Sequence, residues 1–117
     1  MAKKDETLKP HWFQILLALG ERDLHGLGIM QDVLERTQGT MHLWPGMLYG
    51  ALKDLSERGL IEEVEAPKDA ETGGGKPRFY QLTEEGRRQA SAEARKLESY
   101  VEAARSRRLL EQKGEGR

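Results

Sequence analysis

Gly46, Met47, Tyr49, Gly50 and Lys53 form the stretch of this chain best suited to meet a polyanion. If Leu48, Leu52 and Leu55 face a core, the helical period turns Gly46, Tyr49, Gly50, Lys53 and Glu57 largely to other faces. It also leaves Tyr49 and Lys53 one turn apart. A phenol and an ammonium so placed can reach phosphate oxygens or base edges together. Glycines near a helix start each cost about 1 kcal/mol at interior positions, and close approach of a phosphate backbone is a use that offsets this. The competing reading packs the Tyr49 ring between this helix and the strands that follow, where a half-buried tyrosine is equally at home. Asp54, Glu57 and Glu62 stand nearby, so the field is not uniformly positive and base readout would rest on few side chains.

A second basic set, Lys68, Lys76 and Arg78 against Asp69 and Glu71, surrounds the run Gly73-Gly74-Gly75. Beside a flexible tip, Lys76 and Arg78 can bring point charges to phosphates or into a minor groove; the alternative is an ordinary solvated loop. The glycine run is not a nucleotide-binding loop, because the leading glycine spacing is missing and Pro77 stands where Ser or Thr is needed. His11, His25 and His42 lie in separate segments without metal-ligand spacing, so no metal site is assigned, and His25 belongs to the start of a helix. No Ser, His and carboxylate set stands in a recognisable catalytic context, so no catalytic residue, enzyme activity or cofactor is expected.

The elements that must position these residues follow from period and punctuation. Residues 1–8 are a solvated tail. Pro10 opens a helix carrying Trp12, Phe13, Ile15, Leu16, Leu17 and Leu19, and Gly20 stops it. After the link Glu21 to Asp23, the residues Leu27, Met30 and Leu34, with Ile29 and Val33 beside them, repeat at three and four until Gly39. Pro45 opens the third helix, with Leu48, Ala51, Leu52 and Leu55 as its stripe and Gly59 beyond its end. Trp44, just before it, is expected to pack across the helix start rather than stack on a base. The period then becomes extended around Ile61 to Val64 and again over Arg78 to Leu82, which predicts a two-stranded ribbon with a long tip from Ala66 to Pro77. Thr83 caps a last helix, with Glu84 and Glu85 in its first turn, running to about Leu110. Residues 113–117 are again a tail.

On that last helix Ala90, Ala94, Leu97, Val101 and Ala104 recur at four and three, the period of a coiled-coil seam flanked by charge. A narrow stripe suits one neighbouring helix, so a homodimer is expected through these residues, with Trp12 and Leu16 of the first helix as additional contacts.

Length and composition bound the whole. The 117 residues suit one core, and the 37% hydrophobic and 33% charged content describes a polar chain that can still fold. A net charge of -1 excludes a general polycationic coat, so any contact with nucleic acid requires charges sorted onto one face. The absence of cysteine removes disulfides and thiolate sites, and the longest apolar stretch, Ile15 to Leu19, is too short to cross a bilayer. A cytoplasmic location without membrane contact is expected.

Three helices followed by a ribbon is the order of a winged helix-turn-helix, whose third helix enters the major groove. His25-Gly26, then Trp44-Pro45-Gly46-Met47-Leu48-Tyr49 with Leu52, Leu55 and Gly59-Leu60-Ile61, then Arg78-Phe79-Tyr80-Gln81-Leu82-Thr83 with Gly86-Arg87 resemble the PadR family of bacterial transcriptional regulators. These segments span about two-thirds of the chain in the family's order.

The resemblance implies a dimeric repressor on double-stranded DNA, with a palindromic operator and relief by a small apolar or aromatic effector. It gives Gly46, Met47 and Tyr49 the operator contact. Met47 departs from the family's usual threonine, exchanging a hydroxyl for an apolar contact such as a thymine methyl. Some multidrug-binding relatives carry a tryptophan on the last helix; here Leu97 and Tyr100 occupy that region as the effector-binding candidates.

The expected fold is therefore mainly α with a small β-ribbon (α+β). Residues 9–82 make a winged helix-turn-helix DNA-binding domain and 83–112 a long C-terminal dimerisation helix. The expected function is sequence-specific transcriptional regulation, with a winged-helix protein-protein interaction module as the alternative.

Overall fold

The computed structural model describes residues 8–67 and 78–111. Residues 1–7 of the expected tail 1–8, the expected tail 113–117 and most of the expected tip, Lys76 included, lie outside the described residues. Leu8 does not belong to a tail: its side chain is buried in the core ahead of Pro10, a correction that its charged neighbours in sequence concealed.

Seven elements follow in chain order: α1 (Pro10–Ala18), β1 (Leu24–His25), α2 (Gly26–Arg36), α3 (Pro45–Glu57), β2 (Ile61–Val64), β3 (Phe79–Leu82) and α4 (Glu84–Ser106). The three helices and two longer strands stand where period and punctuation place them. The ribbon, however, is a three-stranded antiparallel sheet in the order β1-β3-β2. The added strand pairs Leu24 with Tyr80 and His25 with Phe79. Two residues carry no alternation to read, so β1 exists only because β3 offers its free edge.

The core is contributed by the first three helices and the sheet. Ile15 and Leu16 of α1, Ile29 and Val33 of α2, Leu48 and Leu55 of α3, and Ile61 and Tyr80 of the strands are buried in one cluster. Among the described residues no charged or polar side chain is buried, so the cluster incurs no ionic desolvation. Burial of three leucines in α3, at about 1.5–3 kcal/mol each, outweighs the roughly 1 kcal/mol each that Gly46 and Gly50 cost the helix. Among the described residues no helix is long and apolar enough to cross a membrane.

The turn after α3 is closed by Gly59 at φ +77°, with the Leu60 amide donating to the Leu55 carbonyl at 3.0 Å. This is a Schellman-type end that needs a left-handed residue and seats Leu60 in the core. At the start of α4 the Thr83 hydroxyl accepts from the Gly86 amide at 2.9 Å, the cap expected of it. The Glu85 carboxyl is held at about 2 by hydrogen bonds from the Arg88 and Gln89 side chains. The helix ends at Ser106, short of Leu110, where Arg108 adopts φ +65° and the Leu109 amide returns to the Ala104 carbonyl.

Gly86 is buried against the Leu60 backbone, and a Cβ there would overlap the Leu60 carbonyl oxygen. Intrinsic propensity favours alanine in a helix by about 1 kcal/mol, but the obstacle is backbone and cannot swing aside. Gly86→Ala is therefore expected to destabilise by about 1–3 kcal/mol, lowering the thermal unfolding midpoint by several degrees in a melting experiment. A midpoint at or above that of the parent chain would show that the approach of α4 is not constrained there.

Candidate nucleic-acid interface

The outward side of α3 is open. Leu48, Ala51, Leu52 and Leu55 are buried, while Gly46, Met47, Tyr49, Gly50 and Lys53 are all exposed. At Gly46 and Gly50 a Cβ would meet no atom within 4 Å, so no packing among the described residues explains the glycines. The helix starts with Pro45 at its first position, and Trp44 provides no side-chain cap to the free amides behind it.

Tyr49 is not the half-buried filler between α3 and the strands that one of its two sequence readings makes it. It is 51% exposed, and the hydroxyl end of its ring lies against Gly26, the first residue of α2. A Cβ on Gly26 would approach the Tyr49 hydroxyl to 2.5 Å, so the absence of a side chain at Gly26 makes the seat for the phenol. His25 caps the same helix start, its Nδ1 accepting from the Gly28 amide at 3.1 Å, and its ring meets Phe79 of β3 edge-on at 5.2 Å. The pair His25-Gly26 thus joins sheet, α2 and the exposed phenol of α3. Neighbouring residues in the chain gave no sign that Gly26 and Tyr49 touch.

Each described cation of the interface has a carboxylate beside it. Lys53 Nζ lies 3.2 Å from Glu57 one turn on, and Arg78 Nε lies 3.7 Å from Glu63 across the ribbon, both pairs well exposed. Exposed pairs contribute only about 0–1 kcal/mol, so a phosphate can displace either carboxylate at little cost. Together α3 and the ribbon present two separable positive charges beside the open positions of Gly46 and Gly50.

Trp44 is not packed across the helix start. It is 62% exposed and stacked on His42, ring centroids 4.0 Å apart. The neighbouring positions that do enter the core are Leu43 and Leu48. The opposite holds for Trp12, only 4% exposed, with Lys9 Nζ and Arg58 Cζ each within 5 Å of its ring centroid. Leu16 is 0% exposed. This burial corrects the expectation that Trp12 and Leu16 lie on a partner subunit, since both spend their surface on the chain's own core.

Along α4, Ala90 packs against that core as well, and Ala104 is half-buried. Ala94, Leu97, Tyr100 and Val101 are exposed, and a shallow groove along Ala94, Leu97 and Val101 is edged by Ser91, Arg95 and Glu98. The side chains lining that groove all come from α4 itself. Among the described residues the three histidines stand on separate segments, and no three His, Cys, Asp or Glu side chains gather as a metal set.

A family model described as the transcriptional regulator PadR-like family matches residues 15–92. No curated protein matches the sequence. Among solved structures, H. salinarum RosR is 30% identical, with 82% of this chain and 76% of that one covered at a TM-score of 0.58. A PadR family transcription regulator from Clostridium difficile R20291 is 23% identical over 85% of this chain and 99% of that one, TM-score 0.63. Bacillus subtilis PadR in complex with operator DNA is 20% identical over 72% of this chain and 46% of that one, TM-score 0.60. The last two likenesses concern the fold alone: four helices, a small antiparallel sheet and a long last helix.

Because a Cβ on Gly50 would meet no atom within 4 Å among the described residues, Gly50→Ala should stabilise the isolated protein by about 0.8–1 kcal/mol through helix propensity. Chemical denaturation should show a raised midpoint with an unchanged slope. A lowered midpoint would mean that this side of α3 is covered in the free protein.

Proposed function

Since the chain belongs to the PadR-like family of transcriptional regulators, we propose that it is a dimeric, sequence-specific repressor. Residues 9–82 form its DNA-binding unit and 83–112 its dimerisation helix. In this reading Gly46 and Gly50 let α3 lie close to a duplex, while Tyr49 and Lys53 reach phosphates or base edges and Met47 offers an apolar contact. Paired α3 helices then occupy major grooves about 34 Å apart on a palindromic operator. The observation that carries the reading is the empty space above Gly46 and Gly50 on a helix whose other side is fully packed. The operator complex of Bacillus subtilis PadR supports it at the level of fold.

Dimerisation falls to Ala94, Leu97 and Val101, the exposed part of the seam, with Ala90 and Ala104 at its margins. A paired helix would cover apolar surface that α4 otherwise leaves to water. Leu97 and Tyr100 are the side chains available to an apolar or aromatic effector, whose binding would relieve repression.

The decisive experiment is a gel shift on the duplex that the protein selects from a random pool at about 150 mM salt, an ionic strength that suppresses non-specific binding. Gly50→Ala should bind that duplex more weakly although the protein is more stable, opposite signs that instability cannot produce. Tyr49→Ala with Lys53→Ala should raise Kd roughly ten-fold or more, about 1.4 kcal/mol, with helicity and dimer intact. Unchanged affinity in both variants would remove this side of α3 from DNA contact, and failure to select any duplex would favour the protein-interaction module. Arg78 is proposed as a phosphate contact together with Lys76. For each such residue neutralised, as in Arg78→Gln, the slope of log K against log salt should flatten by about 0.9. An unaltered slope would leave the ribbon a structural element.

A further inference from the structure

The first turn of α4 is fastened to the rest of the chain by a small set of directional contacts. The Thr83 hydroxyl donates to the Gly59 carbonyl at 2.7 Å while accepting from the Gly86 amide, and the Thr83 amide donates to the Leu60 carbonyl at 3.1 Å. One side chain therefore ties the C-terminal turn of α3 to the N-terminal turn of α4. Gly86 rests on the Leu60 carbonyl with no space for a Cβ. Arg87 Nη2 donates to the Gly20 carbonyl at 3.1 Å, anchoring the same turn to the end of α1. Beyond these residues α4 touches the core through Ala90, and Gly86 is its sole fully buried residue among those described.

A helix of 23 residues held at one end is a lever, about 34 Å long at 1.5 Å per residue. Rotating it by about 10° at its base would move its far end by about 6 Å on that length. The exposed seam lies along this lever, and a two-fold axis through it doubles any change of angle in the separation of the two α3 helices. Successive base pairs on a duplex differ by only about 3.4 Å and about 34–36°. The stiffness of the first turn of α4 is therefore on the scale that decides which half-site spacing is tolerated.

We propose that Thr83, with Gly86 and Arg87, sets the operator half-site spacing that the dimer accepts. These are positioning residues that fix the angle between α3 and α4 without touching DNA. The inference rests on the reading of a dimeric DNA-binding protein and deepens it. Thr83→Val keeps the shape and removes both hydroxyl bonds; Thr83→Ser keeps the hydroxyl.

The test uses the duplex selected by the parent chain, alongside versions with one base pair inserted or removed between half-sites. The parent and Thr83→Ser should disfavour the altered spacings by about ten-fold, an elastic mismatch penalty, whereas Thr83→Val should disfavour them by about two-fold or less. In a second measurement a spin label at Ser56→Cys, unique because the chain has no cysteine, reports the distance between protomers without DNA. Its distribution should broaden in Thr83→Val and not in Thr83→Ser.

A Thr83→Val protein with the parent's spacing penalty and distance distribution overturns the inference, as does a Thr83→Ser protein that loses both. If Thr83→Val does not fold, Arg87→Gln carries the same expectation, and an unchanged spacing penalty in that variant overturns it. A parent chain that is monomeric or selects no duplex overturns the dimeric DNA-binding reading, and the inference with it. A dimer that selects a duplex and shows no effect of either substitution overturns the joint alone.

Discussion

A helix can commit one stripe to a core and must leave the opposite side to something else, and α3 carries this constraint for the whole molecule. Its leucines are buried among α1, α2 and the sheet, while Trp44 just before it stands exposed on His42. Because the anchoring side is so strongly apolar, the other side can carry two glycines and still remain helical. The weak helix-forming sequence at Gly46 and Gly50 is thus sustained by tertiary packing rather than by propensity. An unencumbered surface of this kind is what a groove-binding helix requires.

The surroundings of α3 share the same economy. Tyr49 is steadied at its hydroxyl end by Gly26, where α2 begins, so its half-exposed ring starts from a restricted set of positions. Lys53 and Arg78 are held in place by Glu57 and Glu63 through pairs weak enough to exchange for phosphate. Ion pairs of this type keep the net charge near zero while leaving the cations available. An interface need not be strongly basic overall when its few cations are placed by the fold.

At the other end of α3 the chain turns through Gly59, runs out and back along the sheet, and returns at Thr83 to the point it left. The long helix that follows departs from this crossing point with its exposed seam well away from the core. The outward side of α3 and the exposed stripe of α4 are therefore mechanically connected through a few backbone carbonyls, those of Gly59, Leu60 and Gly20.

The amino-acid sequence by itself determined the helices, the two longer strands, the Thr83 cap and the stripe of α3. Each rests on residues within a turn or two of one another, and local period and capping chemistry record such relations directly. The family resemblance was likewise legible in short segments, His25-Gly26 and Gly46 to Tyr49 among them. The tertiary structure alone decided what each tryptophan does: Trp12 and Trp44 are the same residue type beside a helix start, yet one is buried in the core beside Arg58 and the other is exposed and stacked on His42. It also created β1, which needs the edge of β3, and seated Tyr49 on Gly26 and Gly86 on Leu60. Those contacts join residues 23 or more positions apart, and no local pattern encodes a partner that only chain folding brings near.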